Sequence, residues 1–81
     1  MRIRLLLFAL YRDLAGVGEL DVDVAQGSTA AAAVSTLRQR DPRFTRIPER
    51  PVIAVNREYA TLDVRLNEGD ELALLPPVAG G

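Results

Sequence analysis

One apolar stretch near the amino end sets the architecture of this chain: Arg2-Ile3-Arg4-Leu5-Leu6-Leu7-Phe8. Charged and apolar residues alternate at its start and every position is apolar at its end, a pattern typical of a strand whose far end is covered on both faces. We expect Ile3, Leu5 and Leu7 to face the core. By parity Leu6 and Phe8 point to the opposite face, which Arg2 and Arg4 share. That second face is therefore predicted to be charged at one end and apolar at the other.

The next segment predicts the second strand of a hairpin. Residues 13–18 contain two glycines and predict a loop, and residues 20–24 alternate between apolar and acidic side chains. We expect Leu20, Val22 and Val24 to be the apolar set of this strand.

One main helix is predicted over residues 30–40. Either Ser28 or Thr29 supplies its N-cap, no breaker interrupts it, and Pro42 ends it. Its core face is predicted to hold four residues at helical spacing: Ala30, Ala33, Val34 and Leu37. The small alanines on this face would let the helix lie close to a sheet.

The remaining elements complete an order of strand, strand, helix, strand, short strand, strand. Residues 41–51 contain three prolines and predict a loop with room for a short helical turn, and residues 52–55 predict a buried strand. A short strand and a connection follow at residues 59–66, and a turn leads into the last strand at residues 71–75. This order resembles the β-grasp arrangement of ubiquitin-like domains, an α+β fold with a mixed sheet of four to five strands packed on one main helix. The first and last strands should lie parallel at the centre.

The composition limits the chemistry available to the chain. Its 81 residues predict a single domain over residues 1–81, with residues 76–81 as a projecting tail, too small for a core plus an enclosed active site. A net charge of -1 gives no reason to expect nucleic acid or an anionic membrane surface as a partner. The sequence has no cysteine and no histidine, which excludes disulfides, the usual zinc sites, thiol chemistry and imidazole catalysis.

The amino end shows neither a membrane span nor a signal for export. Charges at Arg2 and Arg4 interrupt the apolar run, the run is too short to span a bilayer, and no small-residue cleavage site follows it. We therefore expect a cytoplasmic protein with no membrane partner.

The carboxyl end is predicted to be the working part of the molecule: Pro76-Pro77-Val78-Ala79-Gly80-Gly81. The two prolines fix φ and remove two N–H donors, which stops the preceding strand. Glycine has no Cβ, so a Gly-Gly end can pass through a channel too narrow for other residues. At about 3.3 to 3.6 Å per extended residue, the tail reaches roughly 20 Å beyond the sheet. Because the chain has no cysteine and no histidine, the reacting group of any covalent chemistry is predicted to be the α-carboxylate of Gly81.

An apolar surface is predicted beside this tail. Strand parity places four side chains on the face away from the helix: Leu6, Phe8, Ala73 and Leu75. A contiguous apolar patch of this kind commonly marks an interface, and Tyr59 would suit its rim. The alternative is that residues 41–51 fold over the patch. The predicted partner-binding residues are Phe8, Tyr59, Leu75, Pro76, Pro77, Val78 and Ala79.

Two other motifs are interpreted as structural. Glu68, Asp70 and Glu71 surround a glycine, which is typical of a turn, and a calcium loop needs more oxygen ligands at fixed spacing. Residues 16–18 read Gly-Val-Gly but lack the third glycine and the following helix start of a phosphate-binding loop. No metal site is predicted.

Both ends of the chain resemble a known family, the small sulfur-carrying subunits of molybdopterin synthase. The similar segments are residues 68–81, residues 7–16 and Ala54-Val55-Asn56. The specific part is the Pro-Pro-Val-x-Gly-Gly end, since many carriers and modifiers share the β-grasp pattern alone. The chain departs from the family at Leu74 and Leu75, where relatives often carry phenylalanine. That departure keeps the docking face apolar and leaves its shape open.

The resemblance implies a sulfur-carrying cycle. An ATP-using adenylating enzyme related to ubiquitin-activating enzymes would convert the Gly81 carboxylate to an acyl-adenylate, and a sulfur donor would convert this to a thiocarboxylate. The tail, including Gly80, would then enter the large synthase subunit, where the sulfur passes to a cyclic pterin precursor. The chain itself would bind no cofactor, the catalytic groups would belong to the large subunit, and two small and two large chains would form a heterotetramer.

Three alternatives stay open at this point. The sulfur carrier of thiamin biosynthesis shares the fold, the Gly-Gly end and the adenylation step, but tends to be shorter and to lack the Pro-Pro pair. A ubiquitin-like modifier would instead join Gly81 to lysines of other proteins by isopeptide bonds. A structural binding module would carry an idle tail.

Overall fold

Five strands and two α-helices make up the part of the chain that the structure, a computed structural model, describes: residues 1–77. In chain order the elements are β1 (Arg2–Leu7), α1 (Ala9–Ala15), β2 (Glu19–Asp23), α2 (Ala30–Arg40), a 3-10 helix (Pro42–Arg46), β3 (Val52–Val55), β4 (Glu58–Ala60) and β5 (Glu71–Leu75). None of the helices in this range is long and apolar enough to cross a membrane.

The strands form one mixed sheet in the order β2-β1-β5-β3-β4. β1 and β5 pair in parallel at its centre, with Leu5 opposite Leu72 and Leu7 opposite Leu74. The other three pairings are antiparallel. The predicted β-grasp fold and the central position of the first and last strands are confirmed.

The core lies between the sheet and α2. The three predicted β1 residues and the four predicted α2 residues are all buried there. Thr29, one of the two residues considered as the N-cap, takes that role: its Oγ1 accepts a hydrogen bond from the Ala32 amide at 3.2 Å. The alternating strand pattern and the helical spacing thus meet in a single apolar layer, the main source of stability for so small a domain.

The connection between β1 and β2 is a helix where a loop was predicted. α1 covers residues 9–15 and buries Tyr11 and Ala15, which lie one turn apart. It ends at Gly16, whose φ of 78° is left-handed and whose amide donates to the Arg12 carbonyl at 2.9 Å. The prediction was right about the glycine turn but wrong for residues 13–15, because the glycines mark the end of a helix there.

The segment at residues 41–51 packs on the helical side of the sheet. Its 3-10 helix contacts α1 and α2, and Phe44 and Ile47 belong to the buried core cluster. The alternative in which this segment folds over the opposite face is therefore wrong. That opposite face, called the open face below, keeps three large exposed side chains: Phe8, Val52 and Tyr59.

Candidate functional site

The middle of the open face is a row of four side chains running across four strands. Leu6 of β1 lies opposite Ala73 of β5, Ala73 opposite Ala54 of β3, and Ala54 opposite Tyr59 of β4. Cross-strand partners point to the same side of a sheet, so the four side chains are neighbours. The two alanines are buried, Leu6 is half-buried and Tyr59 is 81% exposed. The row therefore has small side chains in its middle and larger side chains at its ends.

A second apolar row crosses the open face where β5 ends. Leu75 lies opposite Val52, which is 54% exposed. Phe8 directly follows Leu7, whose partner is Leu74, so Phe8 lies at the level of Leu75 and is 45% exposed. Together the two rows form a contiguous apolar surface on one side of the sheet.

The tail begins from this apolar end. Pro76 and Pro77 follow β5 directly and lie outside any strand; Pro76 is half-buried and Pro77 is exposed. A proline cannot donate to a strand ladder, which explains why β5 stops at Leu75. The predicted site residues Val78, Ala79, Gly80 and Gly81 lie outside the described residues. The predicted residues that the structure describes, Phe8, Tyr59, Leu75, Pro76 and Pro77, are all on the open face or where the tail leaves it.

The other end of the open face is charged. Arg2 Nε lies 3.4 Å from Asp23 Oδ1, and Arg57 Nε lies 4.0 Å from Glu71 Oε1. Arg4 has Glu71 as its register partner on β5. Ion pairs as exposed as that between Arg2 and Asp23 contribute about 0 to 1 kcal/mol, so they affect orientation and encounter with a partner more than folding. The predicted gradient from charged to apolar is present along β1.

The carboxylates near Gly69 act in a turn, as interpreted from the sequence. Asp70 Oδ2 accepts from the Asn67 amide at 2.7 Å, and its Oδ1 accepts from Asn56 Nδ2 at 3.0 Å. Glu68 Oε2 accepts from the Arg2 amide at 2.9 Å. Gly69 has a left-handed φ of 83°. Within residues 1–77 no group of three or more potential ligand residues is placed to hold a metal ion.

Sequence reasoning missed two members of the open face, Val52 and Ala54. The segment Val52-Ile53-Ala54-Val55 is apolar at every position, so its period does not assign a face. The pairing with β5 assigns it: Ile53 lies opposite Leu74 in the core, and Val52 and Ala54 face outwards. A usable signal was the small size of Ala54 and Ala73, which are register partners in the middle of the row.

Comparison with known proteins points to one family. The profile of the ThiS family matches residues 5–81. A protein from Arabidopsis thaliana, named molybdopterin synthase sulfur carrier subunit, is 36% identical over 81 residues, covering 100% of this chain and 84% of that protein.

Two solved structures extend the comparison. SAMP1 from Haloferax volcanii, a small archaeal modifier protein, has a TM-score of 0.86 at 31% identity, with 100% of both chains covered. A chain from the complex of subunits 1 and 2 of molybdopterin-converting factor from Helicobacter pylori has a TM-score of 0.70 with 100% of both chains covered; its 22% identity shows the fold alone.

Proposed function

This chain belongs to the ThiS family, and from that premise we propose that it is a sulfur carrier in molybdenum cofactor biosynthesis. Its Arabidopsis relative, similar over the whole of this chain, is named for that role. The observation that carries the proposal is geometric. The segment leading to the Gly-Gly end leaves β5 at the apolar end of the open face, beside Phe8 and Leu75. The proposed docking surface and the start of the tail are therefore adjacent.

The proposed chemistry takes place at the carboxylate of Gly81. A carboxylate is a poor acceptor for a sulfur nucleophile, so an adenylating enzyme first transfers AMP from ATP to it, with release of pyrophosphate. Sulfur at the oxidation level of hydrosulfide, supplied by a sulfur donor, then attacks the acyl carbon. The C–O bond to AMP breaks, AMP leaves, the sulfur loses its proton to solvent, and a thiocarboxylate remains. ATP is used by the adenylating enzyme, and this chain contributes the acyl group that bears the sulfur.

The proposed partner is the large subunit of molybdopterin synthase. The apolar rows of the open face would pack against it, and the charged end would orient the approach, since charge complementarity acts mainly on encounter and specificity. Residues 78–81 would then enter the large subunit, where the sulfur passes to a cyclic pterin precursor. Two small and two large chains in a cytoplasmic heterotetramer are the proposed assembly.

The first test is the intact mass of the protein captured from its native host. We expect one terminal oxygen to be replaced by sulfur and a larger synthase-like subunit to co-purify. An unmodified carboxylate without an adenylating or synthase partner would contradict the proposal. A partner from thiamin synthesis in place of the synthase subunit would identify the thiamin carrier instead.

The threading of the tail is tested by two variants, Gly80→Val and an extension of one residue past Gly81. A Cβ at Gly80 widens the tail, and an added residue moves the carboxylate away from the reacting centre. We expect both variants to lose sulfur delivery and to keep the thermal unfolding transition of the wild type. Full product formation by either variant would exclude the threading argument.

The second candidate function is protein modification. The likeness to the archaeal modifier protein favours it, at 31% identity over the whole of both chains. The two functions share an activated Gly81 and differ in the acceptor, which is sulfur for the carrier and a lysine amine for the modifier. Branched peptides that carry the carboxyl end of this chain on lysines of host proteins would identify the modifier.

A further inference from the structure

The basic side chains of this sequence are all arginine. Lysine and arginine together number 10, and the printed sequence contains no lysine, no cysteine and no histidine. A guanidinium stays protonated in proteins and has no free lone pair, so arginine is not a nucleophile under physiological conditions. We propose that the chain is a one-way acyl donor, which transfers from its activated carboxyl end but accepts no acyl group itself. This inference rests on the proposed activation of Gly81.

A chain without lysine, cysteine and histidine avoids the attack of its own side chains on an activated carboxyl end. An acyl-adenylate or thioester is attacked by amines: the nitrogen lone pair forms a C–N bond, the bond to AMP or to sulfur breaks, and the amine proton goes to solvent. Lysine amines, cysteine thiolates and histidine are the side chains that attack acyl groups most readily. Arginine at the basic positions keeps the positive charge of the surface while supplying none of these groups.

A free α-amine at Met1 would also attack an acyl group, and the structure ties this nitrogen into the sheet. The Met1 nitrogen donates a hydrogen bond to the Val24 carbonyl at 2.6 Å in a partly buried position. The Val24 amide donates to the Met1 carbonyl at 2.9 Å, so both ends of the residue extend the β1–β2 ladder. An attack by this amine requires it to lose its proton and leave the Val24 carbonyl.

Hydroxyl groups attack acyl groups more slowly than amines do, the exposed hydroxyl of Tyr59 included. Thr36 Oγ1 donates to the Ala32 carbonyl at 3.0 Å and Thr45 Oγ1 to the Pro42 carbonyl at 2.7 Å. Tyr11 is buried, and burial raises the pKa of its phenol. A serine or threonine hydroxyl becomes a strong nucleophile only beside a general base, most often an imidazole, which this sequence does not contain. Thr61 Oγ1 donates to Asp63 Oδ1, and this hydrogen bond lowers the pKa of the Asp63 carboxyl, so that carboxylate is a weak base.

The absence of lysine also limits the second candidate function, protein modification. A modifier that forms polymers through isopeptide bonds needs an acceptor lysine on its own surface. If this chain modifies proteins, it is therefore attached as single units. Sulfur delivery gains from the same property, because the activated carrier survives at high concentration until a partner or water reacts with it.

The test installs the activated end chemically, so that its result does not depend on any adenylating enzyme. The full chain is prepared as a C-terminal thioester of a small thiol, by thiolysis of an intein fusion, and is held at high concentration in a mildly alkaline buffer. Intact mass then follows two products: the hydrolysed single chain, and a covalent dimer that has lost one thiol. For the wild type we expect hydrolysis alone.

Two lysine variants provide the contrast, R46K and R57K. Both arginines are exposed and each substitution keeps the charge, so the fold and the net charge are retained. We expect both variants to accumulate the covalent dimer, with the branch mapped to the new lysine. The matched control R57Q removes the charge without adding an amine and should hydrolyse as the wild type does.

A chain extended by Gly-Ser before Met1 tests the protection of the α-amine. Its terminal amine lies beyond the hydrogen bond to Val24, and we expect it to form dimers through that amine. Wild-type dimers linked through Met1 at the rate of the extended chain, or equal dimer formation by the wild type and R57K, would overturn the inference. Absence of sulfur on the native protein would instead contradict the proposed function and leave this result unchanged.

Discussion

Leu74 and Leu75 are neighbours in β5 and belong to opposite faces of the sheet. Leu74 is fully buried between β1 and β3 under the helical layer, and Leu75 is half-buried on the open face beside Val52. The same central strands therefore supply both the core and the predicted docking surface. What separates the two faces is coverage: α1, α2 and the 3-10 helix all pack on one side.

The two faces also differ in how their residues fill space. On the helical side large aliphatic residues interlock, and on the open side buried alanines lie between larger side chains. A close-packed core loses free energy when any of its members is truncated, whereas a partly exposed surface loses little. Stability and partner binding can therefore be changed separately within one strand.

The largest expected effect on stability comes from a pair of truncations in β5. Leu74→Ala should lower the free energy of unfolding by about 2 to 5 kcal/mol, because it leaves a cavity in the core. Leu75→Ala should lower it by about 1 kcal/mol or less. Urea unfolding followed by circular dichroism measures both. Equal losses would show that the open face is packed as tightly as the core.

A charged side chain introduced on the open face should weaken partner binding and have little effect on the stability of the fold. Phe8→Asp and Leu75→Asp should each weaken binding to the proposed partner, the large synthase subunit, by about 30-fold, the size expected for a central apolar contact. Titration calorimetry measures the affinity. Val17→Asp is the matched control, since Val17 is 47% exposed in the loop after α1. Unchanged affinity for the first two variants would place the docking surface elsewhere.

The N-cap of α2 makes a smaller contribution to stability. Thr29→Ala removes the side-chain acceptor for the Ala32 amide and should cost about 1 kcal/mol of stability. Ser28→Ala, at the neighbouring position that the sequence left as an alternative, should change stability by about 0.5 kcal/mol or less. Thermal or urea unfolding of the pair checks this. A larger loss of stability for Ser28→Ala than for Thr29→Ala would show that Ser28 is the N-cap of α2.

The smallest effect appears only in alkaline solution. Tyr11 is 2% exposed and burial raises its pKa above the ordinary 10.0. Above the ordinary pKa the unfolded chain loses the phenol proton while the folded chain keeps it, so the free energy of unfolding falls as the pH rises from about 10. Tyr11→Phe should remove this part of the fall and leave the pH dependence below that range unchanged. Parallel pH profiles from the two proteins would show that Tyr11 does not titrate on unfolding.

The sequence predicted both faces of β1 and β5 because side chains alternate strictly along a strand. Assigning Ile3, Leu5 and Leu7 to the core therefore placed Leu6 and Phe8 on the other side without further information. The core face of α2 followed in the same way from helical spacing. These assignments depended on local periodicity, which the printed sequence contains in full.

The errors lie where tertiary contacts decide the structure. α1 is short and buries only Tyr11 and Ala15, too little for a clear period. Phe44 and Ile47 enter the core from a proline-rich segment whose spacing of three follows a 3-10 helix. The candidate site was predicted as far as parity and tail composition allow. Assigning Val52 and Ala54 to the open face required the register between β3 and β5.

The parallel pairing of β1 with β5 also decides when the molecule can fold. Residues at opposite ends of the sequence, such as Leu5 and Leu72, meet at the centre of the sheet. Closing so long a loop is slow. During synthesis the edge of β1 that pairs with β5 therefore stays unpaired until β5 has been made. The open face includes Leu6 from β1 together with Ala73 and Leu75 from β5, so an incomplete chain has no such face. A partner that binds this face would therefore bind completed domains and would not bind chains that lack β5.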